Sequence, residues 1–303
     1  TEAPMPPLPD PAVLSRINRL ELEARQVVEG YLSGRHRSPR HGFAVEFAQH
    51  REYAPGDDIR HIDWKVFART DRYHLKQYEQ ETNLVAWLVV DASESMKVGT
   101  VARPDGTPIT KYDAACVLAA AMAHLIVGQT DSAGLVVVTD RPRMMARPSA
   151  QPGQVREILR GLGDEPSDAV SSGGKALRDL GSVLGRRGVV FAFGDFLDDA
   201  ADLVSGLRIL RSQKHEIALF QVLDAAEVDF PFRHPTLFRG LEGLPEIATD
   251  PLGVRDSYLA EFGKHVAEVE AACRGMEVDY TRVRTDDDLG MVLAAYLQRR
   301  KGR

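Results

Sequence analysis

A buried strand that leads into a polar loop constrains the fold of this chain more than any other stretch. Residues 85–90 form a nearly continuous apolar run, which is typical of a strand covered on both faces in a parallel sheet. The run continues into Asp91-x-Ser93-x-Ser95, so an acid and two hydroxyls follow the carboxyl end of the strand, where open α/β sheets bind ligands. Hard oxygen donors in this pattern suit Mg²⁺, Mn²⁺ or Ca²⁺. Taken alone, Asp91 and Ser93 could equally cap the next helix.

The rest of the chain predicts alternating strands and helices. Further strands are expected near 133–139, 143–147, 189–193, 217–223 and 277–283, and helices near 12–32, 111–128, 153–162, 175–184, 200–212, 252–273 and 286–299. This alternation is typical of an α/β fold with a doubly wound, mostly parallel sheet and helices on both faces. Because parallel crossovers are right-handed, the strand-to-helix loops are expected at one edge of the sheet.

Two further loops offer oxygen donors at that edge. Asp195 directly follows a fully apolar strand, and a Gly/Ser loop before the helix at 175–184 offers Ser171 or Ser172. Three donor loops that meet at one edge favour a metal site over simple helix capping. The sequence therefore predicts a single divalent-cation site.

These loops resemble the von Willebrand factor type A fold with its metal-ion-dependent adhesion site. Asp91-x-Ser93-x-Ser95 matches the first loop of that site, and Asp195 matches the acid of its third loop. The second loop normally offers a Thr, and the corresponding position here is Ser171. The resemblance implies one bound Mg²⁺, Mn²⁺ or Ca²⁺ ion with a coordination position left for an acid of a partner. The implied metal ligands are Asp91, Ser93, Ser95, Ser171 and Asp195.

A polar block at residues 36–81 differs from the rest of the chain. Charges of both signs alternate there with apolar and aromatic residues after the turn at 55–58. Because Trp and Arg are enriched at binding hot spots, the block could present a partner-binding face as well as pack an irregular segment on the core. The predicted partner-binding residues are Arg51, Asp57, Asp58, Arg60, Asp63, Trp64, Lys65 and Arg69.

The same block is similar to the bacterial family catalogued as domain of unknown function 58. The match is carried by Arg51-Glu52-Tyr53-x-Pro55-Gly56-Asp57-Asp58-Ile59-Arg60-x-Ile62-Asp63-Trp64-Lys65, followed by Ala68-Arg69 and the Asp-x-Ser-x-Ser strand. Members are often encoded beside MoxR-type AAA+ ATPases, so the resemblance implies a partner of that class. Many members also carry membrane helices ahead of the block; none is predicted here, which implies a soluble subtype.

Composition narrows the expected class further. A formal charge of −6 gives no electrostatic case for nucleic-acid binding, and two cysteines make no disulfide framework. The longest apolar run, 114–127, is shorter than the roughly 20 residues of a membrane span. We therefore expect a cytoplasmic protein with a disordered leader (1–11), an N-terminal helix and family block packed on the core (12–82), and a von Willebrand factor type A-like domain (83–303).

The expected function is a metal-dependent protein-interaction module rather than an enzyme. Neutral hydroxyl ligands leave a bound ion electrophilic, so it can accept an Asp or Glu of a partner, here a MoxR-type AAA+ ATPase or its client. One alternative is a scaffold whose metal site is empty and which binds through residues 51–69. Another is a Mg²⁺-dependent phosphohydrolase with Asp91 as nucleophile, but the second acid that this chemistry needs is replaced by Ser93.

Overall fold

The computed structural model describes residues 11–35, 50–52, 74–76, 84–167, 173–185, 187–241 and 245–301. Helix α1 spans Pro11–Arg35, and its residues up to Ser33 belong to the same compact unit as the chain from Leu84 onward, whereas Gly34–Asn83 form a second unit. The division of the chain at residue 82 stays a prediction.

The second unit contains a short antiparallel pair of strands. Strand β1 (His50–Glu52) pairs with β2 (His74–Lys76), and Arg51 lies opposite Leu75. The other predicted partner-binding residues lie outside the described part of the chain: Asp57, Asp58, Arg60, Asp63, Trp64, Lys65 and Arg69. Their role therefore remains a prediction from sequence.

A six-stranded sheet forms the centre of the larger unit. Its strands are β3 (Val85–Asp91), β6 (Ser132–Val138), β7 (Pro142–Ser149), β8 (Val189–Gly194), β9 (Glu216–Leu223) and β12 (Asp279–Arg284). They lie in the order β12-β9-β8-β3-β6-β7, and all pairs are parallel except the one between β6 and the edge strand β7. Short antiparallel pairs join β4 (Val101–Ala102) to β5 (Pro108–Ile109) and β10 (Thr236–Phe238) to β11 (Ile247–Thr249).

Helices cover both faces of this sheet. One face carries α1, α2 (Lys111–Gly128), α3 (Gln154–Gly161) and α8 (Leu289–Lys301). The other face carries α4 (Gly173–Val183), α5 (Ala200–Ser212) and α7 (Pro251–Gly275), and a short helix α6 (Ala225–Asp229) follows β9. The predicted α/β fold, with a doubly wound, mostly parallel sheet and an N-terminal helix, is confirmed.

Strand β3 shows how the sequence pattern produces this layering. Ala86, Leu88 and Val90 join the core on one face, while Trp87 and Val89 join the core on the other. All five are buried because side chains alternate across a strand and both faces of this strand are covered. Burial contributes about 1.5–3 kcal/mol for each large apolar side chain.

Helix α2 starts with a capping box. The Thr110 hydroxyl accepts a hydrogen bond from the Asp113 N–H at 3.0 Å, and the Asp113 carboxylate accepts one from the Thr110 N–H at 3.3 Å. Alanines on most faces of α2 allow it to approach the sheet closely. By length and composition α2 could cross a membrane, but 72% of its residues are buried, as in a core helix.

The start of the last helix and several short elements differ from the sequence prediction. Helix α8 begins at Leu289 rather than at 286, because the Asp288 carboxylate accepts hydrogen bonds from the N–H groups of Gly290 (2.8 Å) and Met291 (3.2 Å) and so precedes the helix as its cap. The β10–β11 pair was not predicted, since strands of three residues are too short to show periodicity.

The two cysteines are buried, free thiols. Cys116 and Cys273 are both buried, and burial raises the pKa of each thiol to about 12. A thiol with so high a pKa is protonated at neutral pH and is a poor nucleophile or metal ligand.

Candidate metal centre

The topology of the sheet brings two acids to the same crevice. The chain leaves β3 towards β6 on one side and leaves β8 towards β9 on the other, so the direction of winding reverses between β3 and β8. Ligands of doubly wound sheets bind at this position, outside the carboxyl ends of the strands. Asp91 is the last residue of β3, and Asp195 is the first residue after β8.

Strand register places these acids side by side. Val90 pairs with Phe193, so Asp91 and Gly194 are the next residues along neighbouring strands. A Cβ atom added at Gly194 would lie 3.1 Å from the Cβ of Asp91, which shows how closely the two strand ends approach. The structure therefore brings Asp91 and Asp195 together, as the sequence predicts.

The loop after β3 orients its serines around the Asp91 carboxylate. The Ser93 N–H donates to Asp91 Oδ1 at 2.9 Å, and the Oγ atoms of Ser93 and Ser95 lie 3.0 Å apart. Ser93 is the N-cap of a 3₁₀ helix (Glu94–Lys97), but its side chain makes no capping hydrogen bond. Helix capping therefore does not account for the two hydroxyls, which face each other beside the acid.

The buried Asp91 carboxylate lies in an unfavourable electrostatic environment. Asp91 and Asp195 are only 8% and 6% exposed. Burial, then repulsion from Asp195 and more weakly from Asp198, raise the pKa of Asp91 to about 7, against the opposing effect of its hydrogen bonds from Ser93. A bound cation would relieve this repulsion. Sequence reasoning did not assign Asp198 to the site, although it lies in the same acidic turn as Asp195.

The segment just before the predicted second loop is hydrogen-bonded beside the site. Ser171 and Ser172 lie outside the described residues, so the ligand role of Ser171 stays a prediction. Just before them, Ser167 donates to the Ala92 carbonyl through its N–H at 2.9 Å and through its hydroxyl at 3.3 Å. The chain that leads to the second loop is therefore attached directly beside Asp91.

A buried lysine that sequence reasoning missed contacts the second acid. Lys111 is 1% exposed, and its Nζ donates to Asp195 Oδ2 at 2.9 Å and to Glu227 Oε1 at 2.7 Å. Attraction by these two carboxylates raises the pKa of Lys111 above its usual value, although burial alone would lower it. One signal was present in the sequence: Lys111 opens an apolar helix, where the helix dipole disfavours a cation unless it has an anionic partner.

The backbone after β8 is held from three other elements. Gln221 on β9 donates to the Asp195 carbonyl at 2.8 Å, and the Tyr280 hydroxyl on β12 donates to the Gln221 Oε1 at 2.7 Å. His265 on α7 is hydrogen-bonded to the Phe196 carbonyl at 2.9 Å, and Phe196 itself is left-handed, with φ of 48°. These bonds fix the position of Asp195 and hence the geometry of the crevice.

The donor chemistry fits a hard divalent cation. Asp91 and Asp195 supply carboxylate oxygens, and Ser93 and Ser95 supply hydroxyl oxygens. Among the described residues no group of three or more His, Cys, Asp and Glu side chains is placed to hold a metal ion. An ion in this crevice would therefore depend on hydroxyls and water as well as carboxylates, a ligand set that suits Mg²⁺ or Mn²⁺ and not Zn²⁺.

A doubly wound sheet with an Asp-x-Ser-x-Ser loop and a second acid at its switch point defines a von Willebrand factor type A-like domain. The chain belongs to the family described as "Protein of unknown function DUF58", whose family model matches residues 49–267. The predicted family membership is thus confirmed.

Relatives of this chain occur in mycobacteria. Uncharacterized protein Rv1480 of Mycobacterium tuberculosis is 30% identical, and the match covers 97% of this chain and 92% of the relative. Uncharacterized protein Mb1516 of Mycobacterium bovis matches with the same identity and the same coverage, 97% and 92%. The similarity therefore extends over nearly the whole of both chains.

Solved structures with a similar arrangement are more distant. The conserved hypothetical protein BatB from Bacteroides thetaiotaomicron has 13% identity and a TM-score of 0.43, with 73% of this chain and 100% of that chain covered. An aerotolerance-related membrane protein from Bacteroides fragilis has 14% identity and a TM-score of 0.42, with 73% and 100% covered. The SpRpn10 VWA domain has 15% identity and a TM-score of 0.39, with 72% and 95% covered. The predicted cytoplasmic location is wrong by this comparison, since these neighbours include a membrane protein.

Proposed function

We propose that the protein is an interaction module that docks an acidic side chain of a partner protein on a divalent cation. One observation carries the proposal: the buried acids Asp91 and Asp195 lie at the switch point of the sheet, and the hydroxyls of Ser93 and Ser95 face each other beside Asp91. Asp91, Ser93, Ser95 and Asp195 would hold the ion, with Ser171 as the proposed fifth ligand. When bound, the ion would supply an electrophilic coordination position for a carboxylate.

The residues of this chain prepare the crevice in three ways. The Ser93 N–H donates to one oxygen of the Asp91 carboxylate and so fixes its orientation. Gln221 fixes the backbone at Asp195. Burial keeps bulk water from screening the two carboxylates, so their attraction for a cation is stronger than at an exposed acidic surface.

A MoxR-type AAA+ ATPase, or its client, is the proposed partner class. This part of the proposal rests on the family resemblance and on the 51–69 block, whose predicted contact residues are charged or aromatic. The hydrolase alternative has no comparable support, because Ser93 occupies the position where a second acid would be needed.

Metal binding is tested first on the full chain. We expect Mn²⁺ or Mg²⁺ to raise the midpoint of thermal unfolding, and Asp91→Ala to abolish this shift. Asp179→Ala is the matched control, since Asp179 is exposed on α4, away from the crevice. An equal shift in both variants would contradict binding at Asp91.

Partner binding is tested by capture from the native host in Mg²⁺ and in EDTA, and by direct binding to a purified MoxR-type ATPase. We expect capture that requires Mg²⁺ and is lost in Asp91→Ala. Capture that survives EDTA and Asp91→Ala, but is lost when Trp64 and Arg69 are replaced by Ala, would favour the scaffold that binds through residues 51–69.

A further inference from the structure

We infer that Lys111 is an internal counter-ion whose positive charge lowers the affinity of the metal centre for a divalent cation. Occupancy of the site by the cation then depends on the acid of a partner. This inference rests on the proposed function and assigns to that site a form of regulation. The proposed metal ligands explain why acids and hydroxyls are gathered in the crevice. They do not explain why the buried ammonium group of Lys111 lies beside one of these acids.

The position of Lys111 makes it part of the site rather than a surface charge. Its side chain is 1% exposed, and both of its hydrogen bonds go to carboxylates of other elements: Asp195 after β8 and Glu227 in α6. An ammonium group buried to this extent is stable only when anions compensate for the water it has lost. Lys111 is therefore tied to the same acid that the metal ion would use.

A divalent ion and Lys111 would compete for Asp195. Nζ already occupies Asp195 Oδ2, which leaves Oδ1 for the ion. The ion would also be repelled by a permanent positive charge located one carboxylate away, in surroundings where screening by water is weak. A partner's carboxylate adds negative charge at the ion, so the ion and the partner's acid should strengthen each other's binding.

Glu227 is the second anion, besides Asp195, to which the Lys111 ammonium group donates a hydrogen bond. One oxygen of Glu227 accepts the Lys111 hydrogen bond, and the other accepts from the Asp224 N–H at 2.8 Å, which completes the capping box of α6. Gln also serves at this position of a capping box. Glu227→Gln should therefore preserve the helix start, remove one anion, and leave Lys111 more strongly associated with Asp195.

The experiment measures Mn²⁺ binding to the metal-free full chain by isothermal titration calorimetry. We expect Lys111→Met to tighten the Kd for Mn²⁺ by at least about tenfold, and Glu227→Gln to weaken it by at least about threefold. Lys214→Met is the matched control: Lys214 precedes β9, at the amino ends of the strands, and its Kd should stay within about twofold of the wild type. Circular dichroism checks that each variant is folded.

Opposite shifts in the two variants are the signature of a counter-ion. If Lys111→Met leaves the Kd unchanged or weakens it, Lys111 only positions Asp195, and the inference is overturned. If Lys111→Met does not fold, Glu227→Gln decides alone, and unchanged or tighter Mn²⁺ binding overturns the inference.

The design also separates this inference from the proposed function. A wild type and a Lys111→Met variant that both fail to bind Mn²⁺ would overturn both. A wild type that binds Mn²⁺ through Asp91, with a Kd that Lys111→Met does not change, would overturn the counter-ion alone. A wild type without measurable binding and a Lys111→Met variant that binds would support the counter-ion.

Discussion

Asp91 and Asp224 both lie at the carboxyl ends of strands of the central sheet, and both are buried, but their pKa values are shifted in opposite directions. Asp91 ends β3 and is 8% exposed, and Asp224 follows β9 and is 0% exposed. The Asp224 carboxylate accepts hydrogen bonds from the N–H and hydroxyl of Thr100, the N–H of Ala226 and the hydroxyl of Thr285. Among the described residues, Asp91 is hydrogen-bonded by Ser93.

The pKa values follow from these partners. Burial alone would raise the pKa of Asp224, but the hydrogen bonds from Thr100, Ala226 and Thr285 hold it below its usual value. For Asp91, burial and the neighbouring Asp195 prevail and raise the pKa to about 7. A buried acid at a strand end is therefore not a ligand site by position alone. What distinguishes Asp91 is that, in the described part of the chain, only Ser93 donates hydrogen bonds to it, which leaves acceptor capacity for a ligand.

The largest expected effect on the free energy of unfolding is that of removing the Asp224 carboxylate. Asp224→Ala leaves the N–H groups of Thr100 and Ala226 and two threonine hydroxyls without this acceptor, so we expect a loss of about 3–5 kcal/mol in the free energy of unfolding. Chemical denaturation of the metal-free protein measures this loss. The control is Asp250→Ala, which removes an exposed N-cap of α7 and should cost about 1 kcal/mol. Equal losses would mean that the bonds of Asp224 are no stronger than those of an ordinary cap.

The next effect is a pH dependence caused by Asp91. Its pKa of about 7 in the folded protein exceeds the ordinary value of 3.8, so the folded state binds this proton more tightly than the unfolded state. The resulting stabilisation is complete below pH 3.8 and is lost as the pH rises through about 7. Asp91→Asn cannot ionise, so its stability relative to the wild type should grow by about 2–3 kcal/mol from pH 5 to pH 8.

Denaturant unfolding in EDTA at both pH values measures this change. A difference between Asp91→Asn and wild type that is the same at pH 5 and pH 8 would show that the Asp91 carboxyl has an ordinary pKa. Asp224 has the opposite sign: its lowered pKa stabilises the fold above the ordinary pKa of an aspartate, and this contribution is lost as the pH falls below it.

The smallest expected effects on the free energy of unfolding come from removing single hydroxyls, one beside Asp224 and one beside Asp91. Thr285→Val removes a donor to Asp224 and an acceptor for the Ala225 N–H, so we expect a loss of about 1–2 kcal/mol. Ser93→Ala removes a hydroxyl that lies 3.0 Å from the Ser95 hydroxyl and is hydrogen-bonded to the Asp91 carboxyl, and in the metal-free protein it should cost about 1 kcal/mol or less. Thermal unfolding without metal compares the two; a larger loss for Ser93→Ala would show that its hydroxyl is structural.

Much of the fold could be predicted from local patterns. Continuous apolar runs identified the parallel strands, and the predicted bounds of α2, 111–128, match the observed helix. The pairing of Asp91 with Asp195 could also be predicted, because parallel strands with right-handed crossovers place their carboxyl ends at one edge. The second loop and the 51–69 block lie outside the described residues, and their roles stay predictions.

The sequence by itself determined which segments are buried and where the two acids emerge, since both depend on residues that are close together in the chain. Only the tertiary structure decided which buried charges meet: Lys111 is 84 residues from Asp195 and 116 from Glu227. Thr100 is likewise 124 residues from Asp224. A buried charge takes whichever partner the folded sheet brings within hydrogen-bond distance, and no local pattern encodes that choice. Hence sequence located Asp91, while the structure alone separates it from Asp224 and adds Lys111 to the site.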